Sequence, residues 1–245
     1  MEEIASTIAA DGTPIAYRRV AGKGPGILFL GGFKSDMAGT KAEALAAFAI
    51  RTGRAFCRFD YAGHGESGGK FEEGCISRWA GDALMVLDTL TEGPQILVGS
   101  SMGGWIACLL AKARPERIHA LVGIAPAPDF TEDLMWAQFP PEIRTTIARE
   151  GVWYRPSEYG DAYAITRQLI EDGRKNLVMK EALEAPFPVR ILQGMADLDV
   201  PWRHAVRLAE HITGEDVRLT LIKHGDHRLS RPQDLALLEA EISAL

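Results

Sequence analysis

Short apolar runs alternate with amphipathic stretches along this chain of 245 residues. Glu3–Ala9 and Thr13–Val20 alternate polar and apolar positions on either side of Asp11-Gly12, which predicts two strands joined as a hairpin. Gly26–Leu30, Arg54–Phe59, Gln95–Val98, Ile118–Ile124, Val189–Leu192 and Val217–Ile222 predict six further strands, with Gly26–Leu30 and Ile118–Ile124 apolar enough to be buried on both faces. Helical patterning covers Lys41–Arg51, Ser77–Leu90, Met102–Ala113, Trp202–His211 and Pro232–Ile242. Strands that alternate with helices of about a dozen residues imply βαβ units. The expected class is therefore α/β, with a mostly parallel, doubly wound sheet. Such sheets place their sites beyond the carboxyl ends of the strands.

One stretch departs from this rhythm. Residues 129–186 read as helical but contain no convincing core strand, and they hold seven of the 19 aromatic residues: Phe130, Trp136, Phe139, Trp153, Tyr154, Tyr159 and Tyr163. The expected organisation is a core of residues 1–128 and 187–245, with a small helical lid, 129–186, inserted between the sixth and seventh strands. Some of its aromatics are expected to line an apolar pocket, and most to glue the insertion to the body.

Composition narrows the functional classes. A net charge of −6, from 27 basic and 33 acidic side chains, has no basic run and argues against nucleic acid as a partner. No stretch approaches the ~20 apolar residues needed to span a bilayer, so no membrane span is expected. The N-terminal Met1-Glu2-Glu3-Ile4 is acidic and lacks the apolar core of a signal peptide. Cys57, Cys75 and Cys108 are too few and scattered for a disulfide framework and are read as structural thiols, Cys75 being the weaker rival nucleophile. A reducing, cytoplasmic location is the expectation.

The chemistry gathers at strand ends. Gly99-Ser100-Ser101-Met102-Gly103 follows the strand Gln95–Val98 and opens the helix Met102–Ala113. A G-x-S-x-G turn between strand and helix holds a strained serine whose hydroxyl is exposed at the sheet edge, and the flanking glycines are required because side chains there clash. Ser101 is the expected nucleophile. A serine hydroxyl needs a base, and the base needs an orienting acid. Gln193-Gly194-Met195-Ala196-Asp197-Leu198-Asp199-Val200-Pro201 supplies the acid, with Asp197 preferred and Asp199 its rival; Asp199 also suits capping of the helix that follows. Lys223-His224-Gly225-Asp226-His227-Arg228 supplies the base, with His227 preferred over His224. A metal site built from His224, Asp226 and His227 matches no standard ligand spacing, so no metal is expected. Backbone N–H groups of Met102 and of Phe33, in the Gly31-Gly32-Phe33 loop, are the expected oxyanion donors. In the glycine-rich stretch from Asp60 to Ser67, the spacing does not suit phosphate binding. Here His64 is read as a structural hydrogen-bonder and Asp60 as a brace between loops.

Together these motifs resemble the α/β-hydrolase superfamily, whose D-x-x-G-x-G-x-S loop is matched by Asp60 to Ser67. Gly103-Gly104-Trp105, Gly151-Val152-Trp153, Pro156-Ser157, Val200-Pro201-Trp202 and Asp226-His227-Arg228 further resemble the branch of mitochondrial palmitoyl-protein thioesterases and acyl-glucuronide esterases. The resemblance implies Ser101, Asp197 and His227 as nucleophile, acid and base. It also implies cleavage of small-molecule or protein-borne acyl esters and thioesters through an acyl-Ser101 intermediate, without a cofactor. Two departures stand out. No transit peptide is expected, and Gly31-Gly32 replaces the His-Gly of many members, which changes a side chain but not the backbone donor. A broad carboxylesterase is the alternative enzyme, and an α/β-hydrolase-fold binding protein the alternative outside catalysis.

Overall fold

The computed structural model describes residues 2–157 and 160–245, with the side chains of 157, 160 and 161 outside the description. Tyr159 lies outside the described residues. Among the described residues, ten strands and seven α-helices follow in order: β1 (Glu2–Ile8), β2 (Pro14–Val20), β3 (Lys23–Leu30), α1 (Thr40–Thr52), β4 (Arg54–Phe59), α2 (Ile76–Leu90), β5 (Gln95–Ser100), α3 (Met102–Ala113), β6 (Ile118–Ile124), α4 (Pro141–Glu150), β7 (Val152–Ser157), β8 (Gly160–Thr166), α5 (Arg167–Gly173), β9 (Val189–Gly194), α6 (Trp202–His211), β10 (Val217–Ile222) and α7 (Pro232–Ser243).

Eight strands form one sheet in the order β1-β2-β4-β3-β5-β6-β9-β10. The first two pairings, β1 with β2 and β2 with β4, are antiparallel, and every later pairing is parallel. The parallel part is wound on both faces, and the period-2 alternation of its strands shows it. Leu28, Leu30, Leu97, Leu121 and Ile191 pack with α2, α3 and α6 on one face. Ile27, Phe29, Ile96, Val98, Val122 and Leu192 pack with α1 and α7 on the other. Strands covered on both faces have no solvated side to pattern, which is why β5 reads as a continuous buried run.

The winding direction decides where a site can form. From β3 the chain passes through α1 to β4 on one side, then through α2 to β5 on the other. Loops leaving β3 and β5 therefore diverge, and a crevice opens between their carboxyl ends.

Between β6 and β9 the chain carries more than helices. A π-helical turn at Thr131–Trp136, α4 and α5 are joined by the antiparallel hairpin β7–β8, which forms its own two-stranded sheet. The hairpin is absent from the sequence-based expectation because it packs no core sheet and so lacks a buried-strand pattern. Asp129 anchors the segment's two ends: its carboxylate accepts the N–H groups of Val178 (2.8 Å) and Met179 (2.9 Å). The π-turn rests on α5, and Trp105 of α3 donates its indole N–H to Asn176 O at 2.9 Å. Among the described residues, no helix is long and apolar enough to cross a membrane.

Candidate active site

Ser101 closes β5 and caps α3 with φ 53° and ψ −118°, a positive-φ conformation that costs a non-glycine residue on the order of 1–3 kcal/mol. The surroundings hold it there. Its N–H donates to Ile124 O of β6 (2.9 Å), and its carbonyl accepts the N–H groups of Gly104 (2.9 Å) and Ala127 (3.0 Å). The glycines on either side are sterically required, as the sequence predicts. A Cβ on Gly99 would run into the Gly103 carbonyl, and one on Gly103 into Leu30 O of β3.

His227, in the loop between β10 and α7, brings Nε2 to 3.1 Å from Ser101 Oγ. Its Nδ1 lies 2.8 Å from Oδ2 of Asp197. Asp197 is the buried member of the rival pair and Asp199 the exposed one. The turn after β9 makes this choice. Oδ1 of Asp197 accepts the N–H groups of Asp199 (2.9 Å) and Val200 (2.8 Å), the local bonding of an Asx turn, and this leaves Oδ2 facing the imidazole. Burial alone pushes the Asp197 carboxyl up. The hydrogen bond and charge of His227, with the bonds from Val200 and Gln193, outweigh it and hold the group below the usual carboxylate range.

Gln193, wholly buried at the end of β9, donates its side-chain N–H to Asp197 Oδ2 at 3.0 Å. Sequence reasoning missed it. The available signal was a polar residue inside the run Val189–Gly194, four places before the acid. His224 remains exposed, and its carbonyl accepts from Arg231 (2.8 Å). Asp226 accepts the Leu229 N–H (3.0 Å) and so shapes the loop. The donor atoms that do converge within 4.8 Å of one another belong to Asp197, Asp199 and His227.

Phe33 and Met102 flank the serine. Met102 opens α3, in the first turn, where helix N–H groups have no intrahelical acceptor. Phe33 lies across the crevice with Gly32, where a Cβ would stand 3.4 Å from Ser101 Cβ. The Phe33 ring meets Phe71 (4.9 Å), Phe130 (5.6 Å), Trp79 (5.8 Å) and Tyr163 (5.9 Å), each edge to face. Phe33, Phe130, Leu134, Met135, Tyr163 and Val200 line a cavity of about 270 Å³ that opens on Ser101 and His227, with Arg155, Gln138 and Asp199 as its polar groups. Of the predicted lid aromatics among the described residues, Phe130 and Tyr163 line this cavity. Phe139 and Trp153 pack on each other (5.4 Å), Trp136 lies under Arg144 and Arg174, and Tyr154 is exposed.

The Asp60 and His64 loop braces this arrangement. Asp60 accepts the N–H groups of Met37 (2.7 Å) and Glu66 (2.8 Å), tying the loop after β3 to the glycine-rich stretch. His64 is buried, and the cost of desolvating a charge pushes its imidazole down to about 4. In the unfolded chain it protonates near the ordinary 6.5. Its contribution to stability is then complete above about pH 6.5 and lost progressively as pH falls toward 4, on the order of 3 kcal/mol in all. His64→Gln, which does not titrate, is expected to flatten that part of a Tm-against-pH curve. An unchanged slope between pH 6.5 and 4 would contradict it.

The serine aminopeptidase S33 family matches residues 27–171. The mitochondrial palmitoyl-protein thioesterase of Bos taurus is 41% identical over 233 residues, covering 94% of this chain and 76% of that protein. A hydrolase from Agrobacterium vitis S4 superimposes with a TM-score of 0.96 at 44% identity, over 100% of this chain and 98% of the other. Mouse alpha/beta hydrolase domain-containing protein 10 gives 0.91 at 38% identity, over 99% and 97%.

Proposed function

This chain belongs to the α/β-hydrolase family, in the group that contains the mitochondrial palmitoyl-protein thioesterases, and we propose that Ser101, His227 and Asp197 form a catalytic triad acting on acyl thioesters and activated acyl esters. The observation that carries the reading is the hydrogen-bonded line from Asp197 Oδ2 through both nitrogens of His227 to Ser101 Oγ, at the mouth of a cavity of about 270 Å³ with Phe33, Phe130, Leu134 and Met135 in its wall.

The steps follow from this line. His227 Nε2 takes the hydroxyl proton as Ser101 Oγ attacks the acyl carbon. Asp197, kept ionised, holds Nδ1–H and stabilises the imidazolium that forms. The N–H groups of Met102 and Phe33 face the developing oxyanion, and a well-placed donor of this kind is worth about 3 kcal/mol in the transition state. The imidazolium protonates the leaving thiolate or alkoxide, an acyl-Ser101 ester remains, and water activated by His227 hydrolyses it. Every charge that develops has a partner among these residues, so no cofactor enters the scheme. Residues 129–186 act as a lid whose Phe130, Leu134, Met135 and Tyr163 receive the acyl group. The free, buried cysteines suit a reducing compartment, the cytoplasm in this reading.

A kinetic panel tests the substrate class. p-Nitrophenyl esters of short to long acyl chains are compared with the matching acyl thioesters, with Ser101→Ala as blank. The expected result is a higher kcat/KM for thioesters than for esters of the same acyl length. The compact cavity favours one competing outcome: turnover of short esters alone would make the protein a general carboxylesterase with the same triad.

A further inference from the structure

The turn that carries Phe33 is fastened by a group outside this reaction scheme. We propose that His64 is a positioning residue for the oxyanion hole, its Nε2 accepting the Lys34 N–H and thereby fixing the direction of the Phe33 amide. The inference rests on the assignment of Ser101 and Phe33 made above.

Residues 32–35 form a tight turn closed by the Ser35 N–H on Gly32 O at 3.2 Å. Phe33 is its second residue. Its third, Lys34, stands at φ 56°, in the left-handed region that lysine rarely adopts. A non-glycine residue keeps such a conformation only where its surroundings over-determine it. Two contacts do so here. The Lys34 N–H donates to His64 Nε2 at 3.1 Å, and the Lys34 ammonium lies over the rings of Tyr163 (5.2 Å) and Phe71 (5.8 Å). Because a peptide unit is planar, fixing the N–H of Lys34 fixes the whole Phe33–Lys34 peptide. The closing bond of the turn restrains Phe33 from the other side, so its own amide has little freedom to swing out of the crevice.

The imidazole is itself immobile. A backbone N–H can only donate, so Nε2 carries the lone pair and Nδ1 the proton, which goes to Ala62 O at 3.2 Å. Ala62 is held in turn by Trp79 Nε1–H on its carbonyl (3.1 Å) and by Asp82 Oδ2, which accepts its N–H (2.9 Å). The rings of Trp79, Phe71 and Tyr61 enclose the imidazole edge to face at 5.2, 5.2 and 5.7 Å. Only 4% of His64 is exposed and both nitrogens are engaged, so it is no second base. A protonated imidazole would lose the acceptor on which the turn depends, and the burial that keeps His64 neutral preserves it.

Two substitutions separate the roles of the two nitrogens. The polar end of glutamine reaches the position of Nε2, and that of asparagine only the position of Nδ1. His64→Gln retains an acceptor for Lys34, whereas His64→Asn loses it and keeps a partner for Ala62. The expected result for His64→Asn is a kcat at least about tenfold lower with KM within about threefold, because loss of a complete oxyanion donor costs 10²–10³. An alkylboronic acid, whose adduct on Ser101 is tetrahedral, should bind more weakly by a similar factor. His64→Gln should keep most of both. His64→Met fills the volume without an acceptor, and it should behave as asparagine does if the asparagine variant fails to fold. The proposal is overturned if Asn and Met variants keep kcat within twofold of the wild type. It is also overturned if Gln and Asn lower kcat, boronate affinity and Tm alike, which marks a general structural role. Failure of the underlying assignment looks different: wild-type protein would resist a fluorophosphonate label, and Ser101→Ala would retain activity.

Discussion

Ser101→Ala is expected to lower kcat by about 10⁴- to 10⁶-fold, the loss seen when a serine nucleophile is removed from a group of residues that acts as a unit. The residual rate then comes from the oxyanion donors and substrate binding alone. Fold stability should change little, with Tm within a few degrees of wild type. Among the described residues the Oγ atom makes one bond, to His227 Nε2 at 3.1 Å, while the conformation at this position is set by backbone bonds to Ile124, Gly104 and Ala127. A fluorophosphonate probe should label the wild type and not the variant. Turnover within tenfold of wild type would move the nucleophile elsewhere, and loss of labelling together with a collapsed Tm would mark Ser101 as structural.

Asp197→Asn is expected to cost about 10⁴-fold in kcat, and Asp199→Asn no more than about tenfold. The magnitude follows from a tautomer. Oδ1 of Asp197 is fixed by the amides of Asp199 and Val200, so an asparagine here must place its oxygen on them and its NH₂ toward His227. That NH₂ donates to Nδ1, which drives the imidazole proton to Nε2, where it blocks acceptance of the serine proton. Gln193, already donating to Oδ2, would then face a second donor and keep only the Gly194 and Val200 carbonyls as acceptors. Asp199 is exposed beside the cavity, and among the described residues its carboxylate makes no hydrogen bond to the imidazole; removing its charge alters the site through a solvent-screened field and not through a lost bond. The opposite ranking of the two variants would move the acid two residues along the chain. Steady-state kinetics on both, with Tm measured in parallel, decides it.

Much of this architecture is legible in the residues themselves, because the signals are local. An apolar run such as Ile118–Ile124 is too short for a helix and too hydrophobic for a surface strand, and the flanking helices supply the βαβ alternation. Gly99 and Gly103 announce the turn at Ser101 because no other residue fits against the Gly103 and Leu30 carbonyls. The hairpin β7–β8 was not legible: it covers no core sheet, so nothing forces a burial period on its sequence.

What the chain alone determines is thus its elements, their order, and the types of chemical group placed at the strand ends. Only the tertiary structure decides which of those groups meet. Asp197 and Asp199 are equivalent as letters, and the turn that buries one and exposes the other selects between them. His227 reaches Ser101 across 126 positions, and His64 reaches Lys34 across 30. Gln193 donates to Asp197 from within a strand that reads as core. Periodicity and turn chemistry act between residues a few places apart, whereas a directional hydrogen bond between distant segments exists only once the sheet has brought their loops to a common edge.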